Sequence, residues 1–162
     1  TELPASPAEK LRFLDSPLLK ATSSIHFEVS LNLTTTTQNV SPILFVMQDS
    51  VNYGELAITV REGAVSVVQY WSNCGQSMCS WNEPEIVGSF SNRWFTVALD
   101  VDLPPVSKVA IGIDGASPTK FDLRTSAVKD PDVHIGAGIW AISGTTDTPT
   151  KSNIDDVLFV VK

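Results

Sequence analysis

Residues 54–81 read GELAITVREGAVSVVQYWSNCGQSMCSW, and this stretch decides the fold that the sequence predicts. Apolar residues alternate with small or polar ones along positions 56–60 and again along 64–71, which is the period expected of β-strands. Gly63, between the two runs, can adopt the positive φ that a short hairpin turn requires. The pattern therefore predicts a β-hairpin, followed by a small polar loop.

The same alternation recurs on both sides of this hairpin. It is clearest over Ser24 to Thr34 and resumes over Arg93 to Val101, while Asp114-Gly115 is a strong signal for a second hairpin turn. Asn153 to Val161 is predicted to be the last strand. About eleven short strands, separated by turn signals and without a helical stripe, predict an all-β sandwich.

These strand assignments also predict how particular residues pack. Trp94, which shares a strand with Phe95 and Val97, is expected in the core. The apolar residues Leu11 to Phe13 are expected to pair with the final strand at Val157 to Val161, so that the two ends of the chain lie side by side.

The length and charge of the chain limit its class and its partners. The 162 residues are enough for one core, and we expect a linker over residues 1–9 and a single β-sandwich domain over residues 10–162. The net charge is -7 and the basic residues are scattered, so nucleic acid is not an expected partner. No apolar run approaches ~18 residues, so direct membrane insertion is not expected either.

Cys74 and Cys79 are the only cysteines, and both lie in the loop after the hairpin. A metal site would need a second pair of Cys or His residues close in sequence, and the chain has none, so no metal ligand is assigned. A local disulfide is the better interpretation, and it implies an oxidising compartment. Glycosylation sequons at Asn32 and Asn39 agree with this. We therefore expect a secreted protein or a cell-surface ectodomain.

Several segments occur in a recognisable order, namely IHFEV (25–29), GELAITVREG (54–63), RWFTV (93–97), IGIDG (111–115) and NIDDVLF (153–159). In this order they resemble laminin G-like domains of the concanavalin A-like superfamily. The resemblance covers nearly the whole chain and implies a jelly-roll sandwich of two antiparallel sheets. It also implies a rim where calcium sits in some members, here near Asn73 with Asp147 as a partner. No residue is assigned as a calcium ligand, and no cofactor is expected.

The superfamily includes enzymes that cleave glycans, but their catalytic patterns are absent from this sequence. Retaining glycosidases of this fold carry Glu-x-Asp-x-x-Glu on a strand, which places two carboxylates about 5 Å apart. Members that resemble alginate lyases need Arg, Gln, His and Tyr together on the concave sheet, and no matching motif is present. A Gly-x-Ser-x-Gly nucleophile elbow is also missing. The sequence therefore predicts no enzyme and no catalytic residue. The residues of these types on the predicted strands are His26, His134, Arg93 and Gln69.

Aromatic residues around the cysteine loop indicate binding instead, because their rings stack on sugars and anchor protein interfaces. We predict a non-catalytic extracellular recognition or adhesion module that binds a glycan or an extracellular protein through a rim of the sandwich. One alternative is a structural domain that contacts neighbouring domains of its own protein. A glycan-active hydrolase or lyase ranks lower, and the oligomeric state is left open. The predicted ligand-binding residues are Tyr70, Trp71, Asn73, Gln76, Trp81 and Trp140.

Overall fold

The computed structural model describes residues 2–3, 11–16, 18–21, 23–34, 40–61, 63–72, 74–75, 78–90, 92–124, 128, 130–141 and 150–162. These residues form fourteen strands. None of them belongs to a helix long and apolar enough to cross a membrane. The strands in chain order are β1 (Glu2–Leu3), β2 (Leu11–Asp15), β3 (Leu19–Lys20), β4 (Ser24–Leu33), β5 (Val40–Gln48), β6 (Tyr53–Arg61), β7 (Ala64–Trp71), β8 (Cys79–Asn82), β9 (Ile86–Val87), β10 (Trp94–Asp102), β11 (Lys108–Ile113), β12 (Thr119–Asp122), β13 (Asp132–Ala141) and β14 (Thr150–Val161).

The strands form two antiparallel sheets. The six-stranded sheet has the order β1-β14-β4-β10-β11-β12. The eight-stranded sheet has the order β2-β13-β5-β6-β7-β8, with β3 paired to β13 and β9 paired to β7. One apolar face of each sheet contributes to a shared core. The prediction of an all-β, two-sheet antiparallel jelly-roll sandwich is confirmed.

The hairpin predicted from residues 54–81 is formed by β6 and β7, which pair along their length. Gly63 lies in the turn with a φ of 80°, the conformation for which glycine is suited. Asp114 and Gly115 form the turn that follows β11, and both have positive φ, as a type I′ turn requires. Both turns therefore follow from their local sequence.

The core is built from the alternating apolar residues of the long strands. Along β4 every second residue is buried, and the burial alternates in the same way along β10 and β11. Phe27 and Phe95 of the six-stranded sheet and Phe45 of the eight-stranded sheet are among the largest fully buried side chains. The two sheets therefore hold each other through aromatic and branched side chains, as a sandwich requires.

Trp94 is not part of this core, and the prediction that it is buried is wrong. Its side chain is 49% exposed, whereas Phe95 beside it is 2% exposed. Successive residues of a strand point to opposite faces, so only one of these two aromatic residues can enter the core. Phe95 takes that position and packs against Phe90, with 5.3 Å between the ring centroids.

The predicted pairing of Leu11 to Phe13 with the last strand is also wrong. These residues belong to β2, which pairs with β13 in the eight-stranded sheet. The last strand, β14, instead pairs with β4 on one side and with the short β1 on the other. β1 falls within the stretch predicted as a linker, and the domain limits at residues 9 and 10 stay a prediction.

Candidate functional site

A row of side chains crosses the outer face of the eight-stranded sheet, the face turned away from the core. Strand pairing places His134 opposite Val46, Val46 opposite Glu55, and Glu55 opposite Tyr70. Tyr53 lies two residues before Glu55 on β6, and so it points to the same face. We call Tyr53, Glu55, Tyr70 and His134 the Glu55 cluster.

This outer face is shielded from solvent near the cluster. Val46 is 4% exposed and Glu55 is 9% exposed, although neither contributes to the core between the sheets. Ala57, the next residue of β6 on this face, is fully buried. Polar groups here therefore interact through a lower dielectric than on an ordinary solvated sheet surface, which strengthens each electrostatic contact.

The carboxyl group of Glu55 is held at one oxygen and unpaired at the other. The hydroxyl of Tyr53 donates a hydrogen bond of 2.5 Å to Glu55 Oε2. Glu55 Oε1 is buried and has no hydrogen-bond partner among the described residues. A buried polar atom without a partner costs about 1 to 3 kcal/mol. That cost is recovered when a ligand supplies the missing hydrogen bond.

The protonation of the cluster is set by this burial. Burial raises the pKa of Glu55, while the hydrogen bond from Tyr53 and the charge of His134 oppose the increase. Burial also raises the pKa of Tyr53. The hydrogen bond to Glu55 and the charge of Glu55 raise it further. The pKa of Tyr70 is raised by burial first and then by the charge of Glu55. Both phenols are therefore proton donors at neutral pH.

The cluster does not contain the two carboxylates of a glycosidase. Among the described side chains of these strands, the other carboxylate on this face is Asp132. It pairs with Lys20 at 2.9 Å and stands opposite Gln48 rather than opposite a cluster residue. Asp132 lies two strands away from Glu55 and is displaced by two residues along the strand direction. Their Cα atoms are therefore about 12 Å apart. The arrangement therefore offers one carboxyl, two phenols and one imidazole.

Only one predicted ligand-binding residue, Tyr70, belongs to this cluster. Trp71 is half-buried at the end of β7. Asn73 and Gln76 lie outside the described residues, as do the possible calcium partner Asp147 and the sequon residue Asn39. Trp140 lies on β13 opposite Ser41, and its side chain is outside what the structure describes. The sequence pattern did not single out Tyr53 or Glu55, and His134 was named among residues of lyase type without being assigned a role. The usable signal was Glu55 itself, an acidic residue at the start of the otherwise apolar run ELAITV.

Trp81 has one ring face covered by another side chain. The guanidinium carbon of Arg124 lies 4.1 Å from the Trp81 ring centroid, and Arg124 Nε donates to Glu83 Oε1 at 3.3 Å. The buried Gln69 donates to the same Glu83 oxygen at 2.7 Å and accepts a hydrogen bond from the Arg124 backbone N–H. This network connects β7 to the segment after β12, so Trp81 and Gln69 have a packing role.

The cysteine loop is closed as the sequence predicted. Cys74 and Cys79 form a disulfide with an S–S distance of 2.04 Å. Cys79 begins β8 and stands opposite Trp71 on β7. The disulfide therefore ties the loop to the edge of the eight-stranded sheet, beside the row that contains Tyr70.

A second candidate is a groove of about 1080 Å³ lined mainly by residues of the six-stranded sheet. Its charged side chains pair with one another: His26 Nδ1 lies 2.7 Å from Asp100 Oδ1, and Lys108 contacts Asp122. These charged groups of the groove already have partners, whereas Glu55 Oε1 has no hydrogen-bond partner among the described residues. His26 lies on β4 of the six-stranded sheet and Arg93 directly precedes β10, so neither joins His134. The Glu55 cluster is therefore the stronger candidate.

Comparison with protein-family models and with curated protein sequences finds no match. Solved structures do match. The endo-β-1,4-glucuronan lyase of the fungus Trichoderma reesei superposes with a TM-score of 0.76 at 11% identity, over 99% of this chain and 78% of the lyase. Alginate lyase A1-II′ gives a TM-score of 0.67 at 8% identity, over 90% of this chain and 65% of that enzyme. These structures share the two-sheet antiparallel jelly roll of this chain.

A third match is a GH16 enzyme from a mixed-linkage glucan locus of Bacteroides ovatus, with a TM-score of 0.66 at 16% identity, over 90% of this chain and 73% of that one. This enzyme was solved with a product, and alginate lyase A1-II′ has been solved with a substrate. The chain spans only 65% of the length of alginate lyase A1-II′. At these identities the matches establish the fold alone.

The matches reported above contradict the predictions of a non-catalytic recognition module and of no enzyme, because these three structures are two polysaccharide lyases and a GH16 enzyme. Contiguous motifs such as Glu-x-Asp-x-x-Glu are absent from this sequence. The Glu55 cluster instead combines the hairpin of β6 and β7 with β13, which lies about 60 residues further along the chain, so no single motif could reveal it. A laminin G-like subgroup is not among the matches reported above.

Proposed function

We propose that the protein is a carbohydrate-active enzyme that cleaves a polysaccharide at the Glu55 cluster by β-elimination. The observation that carries this proposal is Glu55 itself. It is a nearly buried carboxyl whose Oε1 has no described partner, on the outer face of a sheet whose fold is shared with polysaccharide lyases. Burial in a shielded site together with a shifted pKa is a common signature of catalytic groups.

Elimination from a uronic acid removes the proton at C5, forms a C4=C5 double bond and breaks the bond from C4 to the glycosidic oxygen. The proton at C5 is acidic enough only when the charge of the sugar carboxylate is neutralised. The raised pKa of Glu55 favours its neutral form, and in that form the carboxyl can donate the hydrogen bond from Oε1. Preorganised donors of this kind stabilise the charge that develops in a transition state.

His134 and Tyr70 can carry the two proton transfers. They lie in the same row on opposite sides of Glu55. The imidazole of His134 accepts the C5 proton, and the phenol of Tyr70, kept protonated by burial, donates a proton to the departing glycosidic oxygen. One base and one acid on either side of a carboxyl donor are sufficient for elimination.

Hydrolysis by paired carboxylates is the less suitable chemistry for this site. It requires two carboxyl groups about 5 to 9.5 Å apart, and the other described carboxylate of this face, Asp132, is paired with Lys20. Glucuronan and alginate, named for two of the matched enzymes, are therefore the first substrates to test. The proposed chemistry uses only side chains of the protein, and calcium at the rim near Asn73 stays a prediction.

The decisive assay incubates the purified protein with glucuronan, alginate and mixed-linkage glucan, and follows the ultraviolet absorbance of the C4=C5 double bond. We expect one of the two uronans to be cleaved and His134→Ala to reduce the rate by at least about 100-fold. His26→Ala is the matched control, because His26 is the other histidine and lies on the opposite sheet. Failure to cleave any uronan, or equal activity of the two histidine variants, would contradict the proposal.

We also propose that the protein is secreted or exposed at the cell surface. Secretion or cell-surface exposure is supported by the disulfide between Cys74 and Cys79, because disulfides persist in oxidising compartments. A glycan is the partner that the elimination chemistry requires. A laminin G-like affiliation is supported only by the order of the sequence segments, and an extracellular protein partner only by the aromatic residues around the cysteine loop.

A further inference from the structure

Trp94 lies on the outer face of the six-stranded sheet, on the opposite side of the sandwich from the Glu55 cluster. Asn32 stands opposite Trp94 on one side, and Asn153 stands opposite Asn32 on the other. The pairing of β10 with β11 ends at Val97. Trp94 therefore has a paired strand only on the side of Asn32, among the residues that the structure describes.

Asn32 is the acceptor residue of the sequon Asn32-Leu33-Thr34. Leu33 is fully buried, so alternation along β4 directs Asn32 to the outer face. Thr34 is exposed just after the end of the strand. The sequon thus presents its asparagine beside a half-exposed indole, with about 5 Å between the Cβ atoms of a directly opposed pair.

We propose that Asn32 is N-glycosylated and that its first N-acetylglucosamine packs its apolar face on the indole of Trp94. In the modification, Asn32 Nδ2 forms a bond to C1 of the sugar and loses a proton. The C1–O bond to a lipid-linked diphosphate donor breaks, and the diphosphate leaves. Stacking of the C–H-rich face of a sugar on an indole removes apolar surface of both from water.

The glycan would not obstruct the proposed elimination site, because it lies on the other sheet. Its occupancy and packing are therefore independent of whether the Glu55 cluster is catalytic. Along β10, Phe95 fills the core, and Trp94 lies on the outer face where it can cover the base of the glycan.

Occupancy is tested by secreting the protein from a eukaryotic host and measuring its intact mass before and after an N-glycosidase. We expect Asn32→Gln and Thr34→Ala each to remove the same glycan. Asn39→Gln, which alters the other sequon, is the matched control and should leave the Asn32 glycan in place. A secreted, folded protein that is unmodified at Asn32 would overturn the proposal.

Packing is tested by comparing the secreted protein with protein from a disulfide-competent bacterial strain, which adds no N-glycan. We expect the glycan to raise Tm by roughly 2 to 4 °C, the shift typical of a modest stabilisation in a domain of this size. The increase in Tm should disappear in Trp94→Leu.

The unsubstituted glycoprotein should also show less acrylamide quenching of tryptophan fluorescence than the same protein made in bacteria. An equal Tm increase in Trp94→Leu, or unchanged quenching, would refute contact between the sugar and the indole.

Discussion

Glu55 is the residue on which both the shielding of the site and its proposed chemistry depend. Its carboxyl is nearly buried, accepts one hydrogen bond from Tyr53 and leaves Oε1 without a described partner. A buried carboxyl is less costly when neutral than when charged. The protein should therefore reveal the state of Glu55 through the pH dependence of its stability.

We predict that Glu55→Gln stabilises the protein increasingly as the pH rises from about 4 to 8. Because the folded-state pKa of Glu55 is raised, its favourable neutral form is fully present below the unfolded pKa and is lost as the pH rises through the folded pKa. Glutamine is neutral throughout, so Tm should match the wild type near pH 4 and exceed it near pH 8.

The control for this prediction is Glu28→Gln, since the side chain of Glu28 is 46% exposed on the other sheet. Thermal unfolding at several pH values measures all three proteins. If the Tm difference between Glu55→Gln and the wild type does not grow with pH, the buried carboxyl is stabilised in its charged form, and its role as a neutral donor is wrong.

Trp94 and Phe95 provide a second test at the level of single residues. We expect Phe95→Ala to lower the free energy of unfolding by about 3 to 5 kcal/mol, the usual cost of deleting a buried aromatic side chain. In protein made in bacteria, Trp94→Ala should cost less than about 1 kcal/mol, because it is an exposed surface position. Denaturant unfolding of the two variants measures both values. A larger loss for Trp94→Ala than for Phe95→Ala would reverse the assigned register of β10.

β14 is the last strand in the sequence, but it contributes extensively to the pairing and packing of the six-stranded sheet. It lies between β1 and β4 and pairs with β4 along most of its length. Phe159 of β14 meets Phe27 of β4 edge to face, with 6.4 Å between the ring centroids. β14 therefore covers an edge of the sheet and part of its core.

Deleting residues 153–162 should make the protein insoluble. The truncation removes the paired part of β14 and leaves the backbone N–H and C=O groups of β4 as an open edge, which promotes aggregation. Gel filtration and circular dichroism of the soluble fraction measure the outcome. Deletion of residues 1–3 is the control, since it removes only the two-residue β1 and should leave a soluble fold. A folded, monomeric 153–162 truncation would show that β14 is peripheral.

The net charge of the whole molecule disfavours its encounter with the proposed substrate. The protein carries a net charge of -7, and a uronan is also a polyanion. Repulsion between like charges slows their encounter, and salt screens this repulsion over about 10 Å at 0.1 M ionic strength. The preference for uronans must then come from the local donors of the Glu55 cluster rather than from long-range attraction.

We therefore expect kcat/KM on a cleaved uronan to increase, by up to several-fold, when salt is raised from about 10 to 150 mM. Binding of a neutral mixed-linkage glucan is the control and should be insensitive to the same change. Initial rates on the uronan and calorimetric titration of the glucan provide the two measurements. A decrease in uronan kcat/KM with salt would instead indicate a cationic binding surface.

Much of the fold was predictable because its signals are local. The hairpin of β6 and β7 follows from two alternating runs around Gly63, and the turn at Asp114-Gly115 follows from its own residues. The phase of alternation was harder to predict at Trp94 and Phe95. Both are aromatic neighbours, so the strand pattern alone does not distinguish which of them faces the core.

The amino-acid sequence by itself determined the strand periodicity, the hairpin turns and the pair of cysteines, because these depend on residues that are close together in the chain. Only the tertiary structure decided that β13 lies beside β5, and thus that His134, Glu55 and Tyr70 share one row. Pairing between distant strands is selected by the burial of whole sheet faces rather than by any local residue pattern. For the same reason, the unpaired oxygen of Glu55 became visible only when the strands around it were in place.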